Sequence, residues 1–199
     1  MEKIEYKANV TAGALLIPES RKISDLMLRE VSPSEWKDAI ETQNILQKLS
    51  VSTSKRIASF IKARLELMTP ELWKMVRDGD ATLATQALFA AAIKHCRILG
   101  DYLDIVIRKQ FMKLEDRLTP SMWEEFIVSC KQRDPMMEDF PPSTAKKMRS
   151  VIHKILAEVG YLKSVHDWQL NHIEILPEIK KYLEEHNEDY VLKCIQVDK

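Results

Sequence analysis

The sequence predicts a mainly α-helical protein: a helical bundle with helix-turn-helix-like elements and a small C-terminal β-hairpin of the winged-helix type. Three observations support this fold class. Glycine is scarce, at 4 of 199 residues, while good helix formers are abundant. One helix-start motif recurs three times, and the hydrophobic pattern changes from helical spacing to rough alternation after Gly160.

The recurring motif has the order apolar residue, Ser or Thr, Pro, two further residues, Trp. It occurs as "VSPSEW" (31–36), "MTPELW" (68–73) and "LTPSMW" (118–123). The hydroxyl residue is a helix N-cap, and proline suits the first helical position. The apolar residue before the cap can pack against the tryptophan. A base-stacking or cage role for these tryptophans is the alternative interpretation.

Helices are predicted, in chain order, over 19–30, 33–47, 53–67, 70–78, 81–99 with a possible extension to 113, 120–132, 143–159 and 177–186. The uncharged run "ATLATQALFAAAI" has 13 residues, fewer than the roughly 18 of a membrane-spanning helix. We therefore expect a buried core helix there and no membrane insertion. The stretch "RDPMMEDFPP" (133–142) is predicted to be a proline-rich connection.

After Gly160, the segment "YLKSVHDWQLNHIEIL" has apolar residues in rough alternation at Trp168, Leu170, Ile173 and Ile175. This pattern favours two short strands around a turn near His166–Asp167. We expect an N-terminal helical domain over 1–117 and a C-terminal winged-helix-like unit over 118–199. One continuous domain is the alternative.

Charge is balanced overall but segregated along the chain. Thirty basic residues match thirty acidic ones, which argues against nonspecific coating of nucleic acid. Residues 46–64, however, carry five basic residues and no acid, and residues 143–157 carry four basic residues and no acid. A local basic patch is sufficient for phosphate contacts.

The first basic segment is "LSVSTSKRIASFIKARLE" (49–66). Its apolar residues form one helical stripe, and the preceding residues end one helix and cap the next, as in a helix-turn-helix. Arg64 falls within the stripe and is expected to pair with an acid. An ordinary solvated helix face is the alternative to DNA binding. The candidate DNA contacts of this segment are Ser52, Thr53, Lys55, Arg56 and Lys62.

The second basic segment is "STAKKMRSVIHKILAEVG" (143–160). Its apolar stripe has regular helical spacing, and the opposite arc is basic. The free N–H groups at the start of this helix also suit a phosphate. A solvated face neutralised by nearby acids is the alternative. The candidate DNA contacts here are Lys146, Lys147, Arg149, His153 and Lys154, with Lys163 beyond Gly160.

Motifs for catalysis or metal binding are absent from the sequence. There is no P-loop, no GxGxxG and no HExxH, and the three cysteines, Cys96, Cys130 and Cys194, lie far apart. Such a sparse, odd cysteine count fits a reducing cytoplasm. We predict a cytoplasmic protein that has no cofactor or metal, and no nucleophile motif supports an enzyme.

Several longer strings resemble the BrxA family of bacteriophage exclusion (BREX) systems. They are "TAGALLIPESRKISDLML" (11–28), "IKARLELMTPELWKMVRDGD" (61–80), "ATQALFAAAIKHCRILGDYLD" (84–104), "ILAEVGYL" (155–162) and "EDYVLKCIQV" (188–197). The resemblance implies a small helical cytoplasmic protein that binds double-stranded DNA without enzymatic activity and is encoded beside other defence components. Those other BREX proteins are expected partners. A helical adaptor with incidental DNA affinity is the alternative.

Overall fold

The computed structural model describes residues 5–197 and contains two compact units. Leu15–Ala91 forms one unit, and the chain on either side of it forms the other. The domain boundary predicted between residues 117 and 118 stays a prediction. Nearly all the regular structure is helical, so the predicted mainly α fold class is confirmed at that level.

The unit Leu15–Ala91 is built around its first helix, which packs against the third and fourth. The buried stripe of the third helix includes Ile57, Ile61 and Leu65, as the periodicity predicts. The helices of this unit are α1 (Ile17–Leu28), α2 (Pro33–Lys37, continued by a wider π-type turn over Asp38–Thr42), α3 (Val51–Leu65), α4 (Pro70–Asp78) and the first part of α5 (Ala81–His95).

The other unit contains the end of α5 and the remaining helices. The predicted helix over 81–99 is interrupted at Cys96, whose backbone is extended. The helices that follow are α6 (Arg97–Asp101, continued by a π-type segment over Tyr102–Ile107), α7 (Arg108–Met112), α8 (Pro120–Arg133), α9 (Pro142–Val159), α10 (Pro177–Glu185) and α11 (Asp189–Ile195). A short 3-10 helix over Asn9–Ala12 packs against α9.

The three helix starts predicted from the repeated motif are confirmed, because α2, α4 and α8 begin at the three prolines. The start of α2 has a complete capping box. There the Glu35 N–H donates to the Ser32 hydroxyl over 3.3 Å, and the Ser32 N–H donates to the Glu35 carboxylate over 2.8 Å. Among the motif's tryptophans, Trp123 is buried, whereas Trp36 and Trp73 are half-buried.

The predicted C-terminal β-hairpin is wrong, since residues 5–197 contain no β-strand. Isolated bridges join Leu162 to Leu170 and Arg117 to Gln169. The two predicted arms therefore meet at one bridge only, Leu162 to Leu170, which does not extend into a ladder, and Gln169 pairs outside the segment with Arg117. Of the alternating apolar residues, Trp168 packs against His153 and Arg149 of α9. The described part of the chain accordingly contains no winged-helix unit.

A buried carboxylate, Asp101, connects distant parts of the unit that lies outside Leu15–Ala91. It accepts hydrogen bonds from the hydroxyls of Tyr6, over 2.5 Å, and Tyr190, over 2.8 Å. Two guanidinium groups pair with it as well, those of Arg97 at 3.0 Å and Arg133 at 3.1 Å. Burial first, and then the hydrogen bond and the charge of Asp101, raise the pKa of Tyr6 far above its ordinary value, so that its hydroxyl remains a donor. This cluster ties the N-terminal segment, α6, α8 and α11 together.

Gly100 is required by the close approach of α11 to this cluster. A Cβ atom on Gly100 would lie 2.2 Å from the Tyr190 hydroxyl oxygen, closer than any non-bonded contact allows. Glycine at position 100 therefore leaves the space that the Tyr190 hydroxyl occupies when it donates to Asp101.

No helix within residues 5–197 has both the length and the apolarity needed to cross a membrane. The uncharged run of α5 is exposed at Ala81 and Thr82 but buried from Gln86 onwards, with Leu88 and Phe89 fully inaccessible to solvent. The prediction of a buried core helix over this run is confirmed.

Candidate nucleic-acid interface

The N-terminal half of α9 presents exposed, unneutralised positive charge. Lys146 and Lys147 are both exposed, and neither forms an ion pair with another residue in the range 5–197. Arg149, one turn further, is half-buried, with its guanidinium carbon 5.6 Å from the centre of the Trp168 ring. Apolar residues of the opposite face, including Met148 and Ile152, are buried and hold the helix in place.

The first turn of α9 adds a second feature that suits an anion. No side chain caps this turn, since its N-cap is Pro141. The early N–H groups of an α-helix have no partner within the helix, and the helix dipole places partial positive charge there. Lys146 and Lys147 follow directly on this turn, so backbone and side-chain donors are close together in sequence and space.

The remaining basic residues of this region have acidic partners. Lys154 lies 4.0 Å from Glu158, and Lys163 lies 3.4 Å from Asp167. Asp167 also pairs with Arg117 at 2.7 Å. Desolvation opposes ionisation of Asp167, but bonds from the Gln169 N–H, Lys163 and Arg117 outweigh it and lower the pKa of this carboxyl. Arg117 was not among the residues predicted from the sequence, because it lies far from α9 along the chain.

His153 does not lie on the exposed basic arc. It is only 3% exposed, with its Nε2 atom 3.3 Å from the Tyr102 hydroxyl and its ring edge-on to Trp168 at 4.6 Å between centres. Burial and then the charge of Arg149 lower the pKa of His153 to about 4. The ring is therefore neutral at physiological pH and covered by two aromatic side chains, so it cannot contact a phosphate.

This depressed pKa predicts a loss of stability in mild acid. The unfolded chain binds a proton at His153 near pH 6.5, whereas the folded chain does so near pH 4. The contribution of neutral, buried His153 to the free energy of unfolding is therefore fully present above about pH 6.5 and is lost as the pH falls towards 4. We expect His153 to lower the free energy of unfolding by about 2 kcal/mol between about pH 7 and pH 5.

Urea denaturation of the wild type and of His153→Gln at both pH values measures this contribution. The variant should lose less stability than the wild type over this interval. His166→Gln is the matched control, because His166 is exposed, and it should follow the wild type. Equal acid sensitivity of His153→Gln and the wild type would contradict the prediction.

The other basic helix, α3, is held by a defined turn. The helix predicted to reach residue 47 ends at Thr42, because Asn44 and Gln47 have left-handed backbones, with φ of 46° and 54°. The Asn44 side chain donates to the Lys48 carbonyl over 2.9 Å and accepts from the Ser54 hydroxyl over 3.1 Å. These bonds fix the connection between α2 and α3.

The cations of α3 are more strongly neutralised than those of α9. Lys55 pairs with Glu41 at 3.0 Å. Lys62 pairs with Glu66 at 3.6 Å and lies over the Trp36 ring at 4.9 Å. The other candidate residues on this helix remain at its surface: Ser52 and Arg56 are exposed, and Thr53 is half-buried with its N–H bonded to Ser50.

Arg64 is buried, with its guanidinium over the Phe60 ring at 4.4 Å. The sequence places it correctly within the apolar stripe of α3, and its predicted pairing with an acid stays a prediction.

The part of the chain that the structure describes contains no group of three His, Cys, Asp or Glu side chains arranged to hold a metal ion. Cys96, Cys130 and Cys194 all fall within that part, and each is buried without a disulfide bond. Burial, the first cause in each case, raises the pKa of Cys130 and of Cys194 to about 12. Both are therefore thiols at neutral pH and poor nucleophiles.

The fold and this surface define a small helical protein with an exposed basic helix. The chain belongs to the BrxA family, whose model matches residues 4–187. It is 46% identical over 197 residues to the BREX protein BrxA of Paramagnetospirillum magneticum (strain ATCC 700264 / AMB-1), covering 99% of both chains. It is 30% identical over 176 residues to the BREX protein BrxA of Escherichia coli O9:H4 (strain HS), covering 88% of this chain and 83% of that one.

A solved structure gives the same result for the fold. The crystal structure of an uncharacterized protein from Magnetospirillum magneticum superposes with a TM-score of 0.91 at 45% identity, covering 98% of this chain and 100% of that one. The family resemblance predicted from the sequence strings is confirmed.

Proposed function

We propose that this chain is a non-catalytic component of a BREX phage-defence system that acts in the cytoplasm, binds double-stranded DNA and works with other BREX proteins. Membership of the BrxA family supports the assignment to the defence system. The observation that carries the DNA-binding part is the exposed pair Lys146 and Lys147, which has no acidic partner among residues 5–197.

Physical chemistry favours a phosphate backbone as the ligand of this pair. Two adjacent lysines release condensed counterions when they meet DNA phosphates, and this release drives binding without any base contact. The uncapped first turn of α9 offers backbone N–H donors beside them. Arg149 could add a further phosphate contact from the next turn.

The α2–α3 pair is the second candidate DNA element, by its helix-turn-helix spacing. Its candidate contacts are weaker because Lys55 and Lys62 already have carboxylate partners. An exposed ion pair contributes little energy and can be exchanged for a phosphate, so α3 is a supporting element in this proposal.

A salt titration tests the proposal directly. The purified protein should bind a labelled duplex in a fluorescence anisotropy assay, and log affinity should fall linearly with log salt concentration. Three phosphate contacts alone give a slope of roughly −2.7, at about 0.9 for each contact. Absence of binding at low ionic strength, or an affinity independent of salt, would refute it.

The adaptor alternative is favoured by one specific observation. Met112 and Leu114, at the end of α7, are 79% and 95% exposed. Exposed apolar side chains in a cluster often mark a protein-binding surface. Under this alternative, a double Met112→Ser/Leu114→Ser variant loses binding to purified BREX partner proteins but retains its DNA affinity. Unchanged partner binding would count against the adaptor role of this surface.

A further inference from the structure

A cavity of about 360 Å³ lies between α8 and α9. Its walls are largely apolar and include Trp123, Ile127 and Ala145, with Pro142 at the start of α9. Lys146 and Arg149 line it from the α9 side. The cavity therefore joins an apolar interior to two cations that belong to the candidate DNA surface.

Trp123 adds an aromatic ring to the wall of this site. Its side chain is only 3% exposed and packs edge-on against Tyr102, with 5.4 Å between ring centres. Its indole N–H has no hydrogen-bond partner among the described residues. Its contribution to the cavity is therefore the apolar surface of the ring, not the N–H group.

The charges around the cavity favour an anion. Lys146 and Arg149 are cationic donors, and Glu124 is the one acidic side chain among the lining residues. Glu124 is exposed and can turn towards water. An arginine binds a carboxylate through two parallel hydrogen bonds, whereas the apolar walls suit a flat ring.

We infer that the cavity between α8 and α9 binds a small aromatic carboxylate, which occupies Lys146 and Arg149 and thereby competes with DNA. The volume lies within the usual range of small-molecule sites, roughly 300–1,000 Å³. The competition rests on the proposed function, because it requires α9 to be the DNA-binding helix. Binding of the carboxylate itself does not depend on that function.

Isothermal titration calorimetry with naphthoate tests the site. Naphthamide has the same ring without the charge and should bind at least 10-fold more weakly. Arg149→Gln should weaken naphthoate binding at least 10-fold, whereas Lys181→Gln, on the exposed face of α10, should not change it. Absence of naphthoate binding to the wild type, or equal binding by wild type and Arg149→Gln, would overturn the inference.

A cavity-filling variant locates the ligand. Ala145→Phe adds a ring on the α9 wall without altering any charge and should abolish naphthoate binding. Circular dichroism shows whether this variant folds, and if it does not, Arg149→Gln decides alone. A folded Ala145→Phe protein that binds naphthoate as the wild type does would place the ligand elsewhere and overturn the site.

Competition is measured separately. Saturating naphthoate should raise the apparent dissociation constant of the wild type for duplex DNA at least several-fold. If naphthoate binds by calorimetry but leaves DNA affinity unchanged, the competition is refuted. If the wild type binds no DNA at any salt concentration, the proposed function fails, and calorimetry still decides whether the cavity is a carboxylate site.

Discussion

Reversal of Lys146, Lys147 and Arg149 to glutamate is expected to remove most of the DNA affinity of this protein. Each lost phosphate contact lowers the salt slope by about 0.9, so the triple change should reduce its magnitude by about 2.7. The three new carboxylates also repel the backbone, which weakens binding further at low ionic strength. Anisotropy titrations across salt concentrations measure both effects.

The substitutions at Lys146 and Lys147 are expected to leave the fold intact, because both side chains are exposed. Arg149 contacts the Trp168 ring, so the double variant Lys146→Glu/Lys147→Glu is measured beside the triple. The double variant should reduce the magnitude of the slope by about 1.8.

Lys180→Glu/Lys181→Glu on α10 is the matched control. Both lysines are exposed, and this variant makes the same charge change as the double variant outside the proposed surface. It should leave the salt slope unchanged.

The parallel change on α3 distinguishes the two basic helices. Lys55, Arg56 and Lys62 to glutamate should cost less affinity, because two of these cations already have acidic partners. If this variant loses binding while the α9 triple variant retains it, the α2–α3 pair is the DNA-binding element. Unchanged affinity in both variants would contradict DNA binding through either helix.

Replacement of Asp101 by alanine is expected to give the largest loss of stability. The change leaves the guanidiniums of Arg97 and Arg133 without their shared carboxylate and removes the acceptor for two tyrosine hydroxyls. Removing one partner of a buried ion pair typically costs about 3–5 kcal/mol. The side chains of Arg97 and Arg133 are 30% and 29% exposed, so we expect a loss of free energy of unfolding at the lower end of that range.

Urea denaturation gives the free energy of unfolding for Asp101→Ala and for two comparison variants. Tyr6→Phe removes a single hydroxyl bond and should cost about 1 kcal/mol. Asp139→Ala is the exposed control, because its side chain is 93% exposed and its one ion pair within residues 5–197 is with Lys131, at 2.9 Å. It should cost less than about 1 kcal/mol. An Asp101→Ala protein as stable as Asp139→Ala would show that the buried cluster does not hold the unit together.

Residues close together along the chain determined the features that the sequence predicted correctly. The helices α2, α4 and α8 each begin at a proline that follows a hydroxyl residue, and both residues are adjacent to the first turn. The hydroxyl itself caps α2, through Ser32. The buried stripe of α9 follows from helical spacing alone. The exposed positions of Lys146 and Lys147 follow from the same spacing.

The tertiary structure alone decided what depends on residues far apart in the chain. The sequence placed His153 on an exposed arc, but Tyr102 and Trp168 cover it. Alternation after Gly160 indicated strands, yet the two arms meet at the single bridge Leu162 to Leu170, and Gln169 pairs instead with Arg117, which is distant in sequence. A strand needs a continuous neighbour, and spacing along the chain cannot reveal one.

The charges were decided in the same way. The composition of α3 and α9 predicted two similar basic faces, each with one local ion pair, Lys62 with Glu66 and Lys154 with Glu158. The contact of Lys55 with Glu41, from the preceding helical segment, appears only in the tertiary structure. The cluster around Asp101 joins residues from position 6 to position 190, so no local pattern contains it. Periodicity in one helix specifies which side is buried, but the groups that meet each side chain are set by the packing of the other helices.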